Sequence, residues 1–193
     1  MNLKDPFNNK KNSKNYLLKN GKLINIKEKK IENKDILLEN KKIKQIKKEI
    51  NISSKDLEVI DCNGLMIAPG LIDMRVNIGE PGSEHKETVK SVSMSAASGG
   101  ITSLICMPNT SPPIDQPAII QSIQRKAREV GLSKFYCTGC ITRGATGKEI
   151  CELQLMKESG AVGFTDGYKS ISNVRVMKRA LNYAKSFNGL IIQ

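Results

Sequence analysis

From about residue 65 the chain alternates between short apolar runs and longer helix-period stretches, and few folds accommodate that alternation. Leu65–Ala68 and Leu71–Val76 are apolar and interrupted by Pro69-Gly70, and Ile101–Met107, Phe135–Ile141, Ala161–Phe164 and Leu190–Ile192 follow as further apolar runs. Between them Glu84–Ser98, Gln116–Val130, Lys148–Ser159 and Asn173–Phe187 read as helices. The punctuation agrees. Ser83 suits an N-cap and Gly99-Gly100 a stop, Pro117 falls in a first helical turn, and Gly131 and Gly160 stand just past helix ends. Almost uniformly apolar strands alternating with helices imply a parallel sheet covered by helices. An open doubly wound sheet and a (β/α)8 barrel both fit. The doubly wound form favours a glycine-rich phosphate turn after its first strand, and Asn77-Ile78-Gly79-Glu80-Pro81-Gly82 is not such a turn. A barrel places its working residues at the C-terminal ends of the strands. The polar residues collect there: Arg75 and Asn77, Asn109, Thr142 and Arg143, Thr165 and Asp166.

The preceding segment has a different texture. Residues 1–15 are rich in Asn and Lys and are expected to be a disordered tail. Tyr16–Leu18, Leu23–Ile26, Asp35–Glu39 and Lys42–Ile46 read as short strands, with turn signals at Asn20-Gly21 and at residues 39–42. The expectation for residues 16–64 is a small antiparallel unit that needs a larger neighbour for support.

Composition narrows the function. The 193 residues carry a net charge of +12. Residues 1–60 hold 16 lysines, 8 acidic residues and no arginine, so two thirds of the excess charge lies there. Lysine crowded with Asn and Ile, in a chain only 4% aromatic, argues against a nucleic-acid surface, which favours Arg and interleaved aromatics. No run approaches a membrane span, and the polar N-terminus shows no secretory signal, so the expected location is the cytoplasm. Cys137 and Cys140 form a lone CxxC within a strand; residues three apart on a strand face opposite ways, so free buried thiols are expected rather than a metal or redox pair.

Several motifs resemble one family. Ala68-Pro69-Gly70-Leu71-Ile72-Asp73, Glu80-Pro81-Gly82 and Glu84-His85-Lys86-Glu87-Thr88 resemble the opening of class I dihydroorotases, within the amidohydrolase superfamily. Cys106-Met107-Pro108-Asn109-Thr110, with Pro112 and Asp115, resembles their second strand and loop, and Phe164-Thr165-Asp166-Gly167 their fourth strand. The resemblance implies an α/β fold, a small β-sandwich segment around a (β/α)8 barrel. It implies the reversible cyclisation of carbamoyl aspartate to dihydroorotate in pyrimidine biosynthesis. It also implies one or two zinc ions, since zinc activates water and polarises an amide carbonyl. By the same resemblance Asp166 sits at a metal position and Asn109 at a substrate position. From the residues alone, Asp166 reads rather as a strand-end carboxylate bonding nearby amides or pairing with Arg75, Asn109 as a turn former after Pro108, and His85 as a scaffold residue in a first helical turn.

The departures fall on the working positions. Where the family's first strand ends in His-x-His-x-Arg, two zinc ligands and a carboxylate holder, this chain has Arg75, Val76, Asn77, Ile78 and Gly79. Arg75 repels a cation, Asn77 offers a weak neutral oxygen, and Gly79 has no side chain. The expected protein binds no zinc and is non-catalytic. It acts as a structural partner of aspartate carbamoyltransferase and as a homo-oligomer when full length. The alternative is a working cyclic-amide hydrolase with a rearranged metal site. The family's next metal histidine belongs just beyond Gln193, so residues 65–193 are expected to be the first half of a truncated barrel. Its apolar edge strands would make the isolated chain aggregation-prone.

Overall fold

The computed structural model of the chain describes residues 14–193, so most of the tail expected at 1–15 lies outside the described residues. Two compact units divide at Pro69/Gly70.

The first unit is one five-stranded sheet of β1 (Asn15–Asn25), β2 (Lys30–Glu39), β3 (Lys42–Lys47), β4 (Leu57–Asp61) and β5 (Met66–Ile67). β1 pairs antiparallel with β2 and β2 with β3, but β4 and β5 lie parallel to β1, so the sheet is mixed rather than antiparallel. Asn20-Gly21 is not a turn. Asn20 adopts φ 63° inside a bulge of one continuous strand, its N–H donating to Asp35 Oδ1 at 2.9 Å. The sheet, not the barrel series, takes up Met66–Ile67, because the Lys22 N–H donates to Leu65 O at 2.9 Å and Gly21 leaves room for the Ile67 side chain. Leu17, Leu37 and Ile50 form its core.

The second unit carries the parallel series: β6 (Leu71–Val76), α1 (Val89–Ser98), β7 (Ile101–Cys106), α2 (Pro117–Val130), β8 (Lys134–Gly139), α3 (Leu153–Glu158), β9 (Ala161–Phe164) and α4 (Val174–Ser186). All pairings are parallel and the sheet order is β6-β7-β8-β9, the order of the chain. A doubly wound sheet reverses its order at a switch point; none occurs among these strands, and the arc is that of a barrel. Beyond β9 the expected strand Leu190–Ile192 reduces to a parallel bridge of Ile191 to Phe164. The core joins Leu104 and Phe135 of the sheet to Ile120, Ile123 and Ala127 of α2, whose spacing is that of one helix face. No helix among the described residues is long and apolar enough to cross a membrane.

Two helices are shorter than the sequence suggests. α1 starts at Val89 with Thr88 as its cap, because Thr88 and Ser91 form a reciprocal capping box. Residues 148–151 are not helical: Thr142 bridges Ile150 antiparallel and the Cys151 N–H donates to Ile141 O at 2.9 Å. The start of α1 is also held by Glu80, whose Oε2 accepts the Val89 N–H at 2.9 Å while Oε1 pairs with Lys126 of α2.

The Glu80 side chain is 13% exposed, so both contacts work in a shielded setting. Glu80→Ala is expected to cost about 1–2 kcal/mol in urea unfolding, the size of a lost helix cap plus a partly buried pair. Glu80→Gln retains an oxygen for Val89 and should cost less. Equal, negligible losses for both would show that Glu80 does not secure the start of α1.

Candidate functional site at the strand ends

The C-terminal ends of β6 to β9 open into loops 77–88, 107–116, 140–152 and 165–173. Backbone bonds stitch the loops to their neighbours. Met107 N–H donates to Val76 O at 2.8 Å, Cys140 N–H to Ile114 O at 2.7 Å, and Thr165 N–H to Gly139 O at 2.9 Å. The rim is therefore continuous from β6 to β9.

Asp166 sits just past β9 and is 4% exposed. Its Oδ1 accepts the N–H groups of Ile141 and Thr142, each at 2.9 Å, and its Oδ2 accepts the Thr142 hydroxyl. Thr142 Oγ1 in turn accepts the Gly147 N–H at 2.8 Å. Asp115 supplies a second anchor to the same loop, its Oδ2 accepting the Gly144 N–H at 3.0 Å. The sequence alternative that Asp166 bonds nearby amides is what the geometry shows; its partner is not Arg75.

Arg75 is exposed at the end of β6, its guanidinium carbon 6.0 Å from the centroid of the Tyr168 ring. Asn77 is also exposed. Gly79 is closed off, because a Cβ there would lie 2.4 Å from Ser83 O and 2.5 Å from Glu87 O. The backbone of the β6–α1 loop occupies the space a longer side chain would need. His85 is exposed in that loop, not in a helix. Asn109 lies against Gly167, whose φ is +70° and whose Cβ, if present, would stand 1.9 Å from Asn109 Oδ1. The Asn109 Nδ2 atom is buried and has no hydrogen-bond partner among the described residues. Sequence reasoning missed Tyr168; an aromatic directly after Asp166-Gly167, in a chain with 4 tyrosines, was the available signal.

Zinc does not fit these residues. Arg75 is a permanent cation, Asn77 a weak donor and Gly79 has none. Asp166 has already committed both oxygens to donors of the β8–α3 loop. The described cysteines are all free and buried. Burial, reinforced by the charges of Asp115 and Asp166, pushes the Cys151 thiol up to about 12. Burial and the Asp166 charge raise Cys140 as well, which disfavours the thiolate a metal requires. Cys137 lies opposite Cys106 in the β7–β8 register, away from Cys140's surroundings.

The family model described as Dihydro-orotase-like matches residues 64–193. A dihydroorotase of Caldicellulosiruptor saccharolyticus is 41% identical over 172 residues, covering 89% of this chain and 40% of the relative. A dihydroorotase of Aquifex aeolicus is 42% identical over 168 residues, covering 87% and 39%. The chain thus spans about two fifths of the length of these curated relatives. Among solved structures, an L-hydantoinase (dihydropyrimidinase) from Arthrobacter aurescens superposes with a TM-score of 0.77 at 23% identity, over 91% of this chain and 39% of that one. A D-hydantoinase superposes with a TM-score of 0.71 at 22% identity, over 92% and 39%. At these identities the superpositions speak for the amidohydrolase fold alone.

Replacing Asp166 with Ala leaves two buried N–H groups and a hydroxyl without their acceptor. The expected loss is about 3 kcal/mol in denaturant unfolding, since each orphaned buried donor costs roughly 1–3 kcal/mol and the changes are not independent. Asp166→Asn keeps one oxygen for the amides and should lose about half as much. If chelator-treated Asp166→Ala unfolds at the same denaturant concentration as the native chain, Asp166 is not a clamp.

Proposed function

Because the chain belongs to the dihydro-orotase-like family, we propose that it serves pyrimidine biosynthesis as a dihydroorotase-like protein that does not itself catalyse the cyclisation. The observation that carries this reading is the state of the strand ends. At and just past the end of β6 stand Arg75, Asn77 and a backbone-occluded Gly79, and both Asp166 oxygens accept from Ile141 and Thr142. Attack on a cyclic amide at neutral pH needs an activated water and a polarised carbonyl, through a Lewis acid or a poised general base with an electrophile. Asp166 accepts three hydrogen bonds from Ile141 and Thr142, which weakens it as that base. Arg75 alone polarises a carbonyl only partly.

A protein that keeps the family scaffold without this chemistry works by association. The partner we propose is aspartate carbamoyltransferase, whose product is the family's substrate, with the full-length protein forming a homo-oligomer on which the partner assembles. The partner is an inference from the family alone; the residues of this chain support only the absence of hydrolysis.

The test is hydrolysis of dihydroorotate by the full-length protein, with and without added zinc, beside Asp166→Ala and an Arg75→His/Asn77→His double variant. The expected result is turnover indistinguishable from the protein-free background in every arm. The double variant gains little because Gly79 still cannot hold a carboxylate and its space is taken. Zinc-dependent turnover by the native protein that disappears in Asp166→Ala would replace this reading with that of an enzyme whose metal site has been rearranged.

A further inference from the structure

We infer that a cavity in the helical layer, between the segment ahead of α3 and the middle of α4, binds a free α-amino acid with an apolar side chain in its zwitterionic form. Arg75, Asn109 and Asp166 take no part in it. The inference goes beyond the non-catalytic reading and does not depend on it.

The cavity follows from the shortness of α3. Residues 148–151 run extended, tied by the bridge of Thr142 to Ile150, so α3 has 6 residues against 13 in α4. That is about 9 Å of helix beside about 20 Å. A space of about 370 Å³ opens in the gap, lined by Ile150, Cys151, Glu152, Arg179, Asn182 and Tyr183. Small-molecule sites have this size. The three α4 residues stand at i, i+3 and i+4 and therefore share one helix face. Val176 and Ala180 seat α4 on the core, and the Tyr183 ring is held edge-on to Phe187 with centroids 5.3 Å apart. Ile150 packs on the same core, and Cys151 is 2% exposed. Burial keeps the Cys151 thiol protonated, so it is a neutral wall and not a nucleophile.

The charges select the ligand. Glu152 and Arg179 stand on different elements and both are exposed. Among the described residues neither side chain has an ion-pair or hydrogen-bond partner, and the Asn182 amide has none either. An α-amino acid offers a carboxylate to the Arg179 fork and an ammonium to Glu152 at the same time. Its apolar side chain then lies against Ile150, Cys151 and Tyr183. A simple anion meets Glu152 as a like charge, and a simple cation meets Arg179.

The experiment is calorimetric titration of the chain with leucine, beside isoamylamine, which lacks the carboxylate, and isocaproate, which lacks the ammonium. Saturable leucine binding in roughly the millimolar range is expected. Both comparison compounds should bind about tenfold more weakly or worse. Arg179→Gln and Glu152→Gln should each weaken leucine binding by about tenfold, the loss of one charge-assisted contact. Lys185→Gln, on α4 but outside the cavity, should bind as the native chain does. Glu152 and Arg179 are exposed, so thermal melting of each variant should match the native chain and exclude unfolding as the cause. Absence of leucine binding, equal binding of isocaproate, or unchanged leucine binding in either charge variant overturns the inference. Each of these outcomes leaves the non-catalytic reading intact, because that reading rests on Arg75, Asn77, Gly79 and Asp166.

Discussion

Asp166 carries its carboxylate into a position 4% exposed at the end of β9, where a charge persists only if donors surround it. The donors come from the neighbouring strand: the backbone amides of Ile141 and Thr142 and the Thr142 hydroxyl. This arrangement closes the β8–β9 junction and directs the β8–α3 loop, which Thr142 passes on to Gly147 and Asp115 secures at Gly144. It also keeps residues 148–151 extended, so that α3 begins only at Leu153. Much of the local structure of the rim depends on where this one carboxylate points.

The same commitment governs the chemistry. Three of the roughly four acceptor sites of the Asp166 carboxylate are taken by the scaffold. Around it the rim holds Arg75, an Asn109 Nδ2 donor without a partner among the described residues, and a Gly79 enclosed by Ser83 and Glu87 carbonyls. The scaffold residues nearby kept their work. Glu80 of the Glu-Pro-Gly motif still joins the start of α1 to α2.

The alternation of apolar strands and helices was legible in the sequence because a buried parallel strand and an amphipathic helix differ in period and punctuation. Pro117 and Gly131 bound α2 as expected, and Gly131 adopts the left-handed conformation its position requires. What the sequence concealed was tertiary. The start of α1 depends on a capping box and on Glu80, both invisible to a periodicity argument that began the helix at Glu84. Asn20-Gly21 has turn chemistry but sits in a bulge, because Asp35 and Asp61, distant in sequence, accept from Asn20. At the rim, sequence comparison identified the positions Arg75, Asn77, Gly79, Asn109 and Asp166, and left the role of Asp166 divided between ligand and clamp. The partners of its two oxygens lie on a neighbouring strand end and are not legible in the sequence, and the closure of the loop over Gly79 has no signature in the residue itself.

We propose that these strand ends, with Arg75 and Asn77 at the end of the first barrel strand and Asp166 bonded to the neighbouring loop, hold no zinc. The most direct measurement is the zinc content of the purified chain by elemental analysis, after equilibration with zinc and desalting. Far less than one zinc per chain is the expected result, and it should be the same for the native chain and for Asp166→Asn. About one tightly held zinc in the native chain, lost in Asp166→Asn, would contradict the claim.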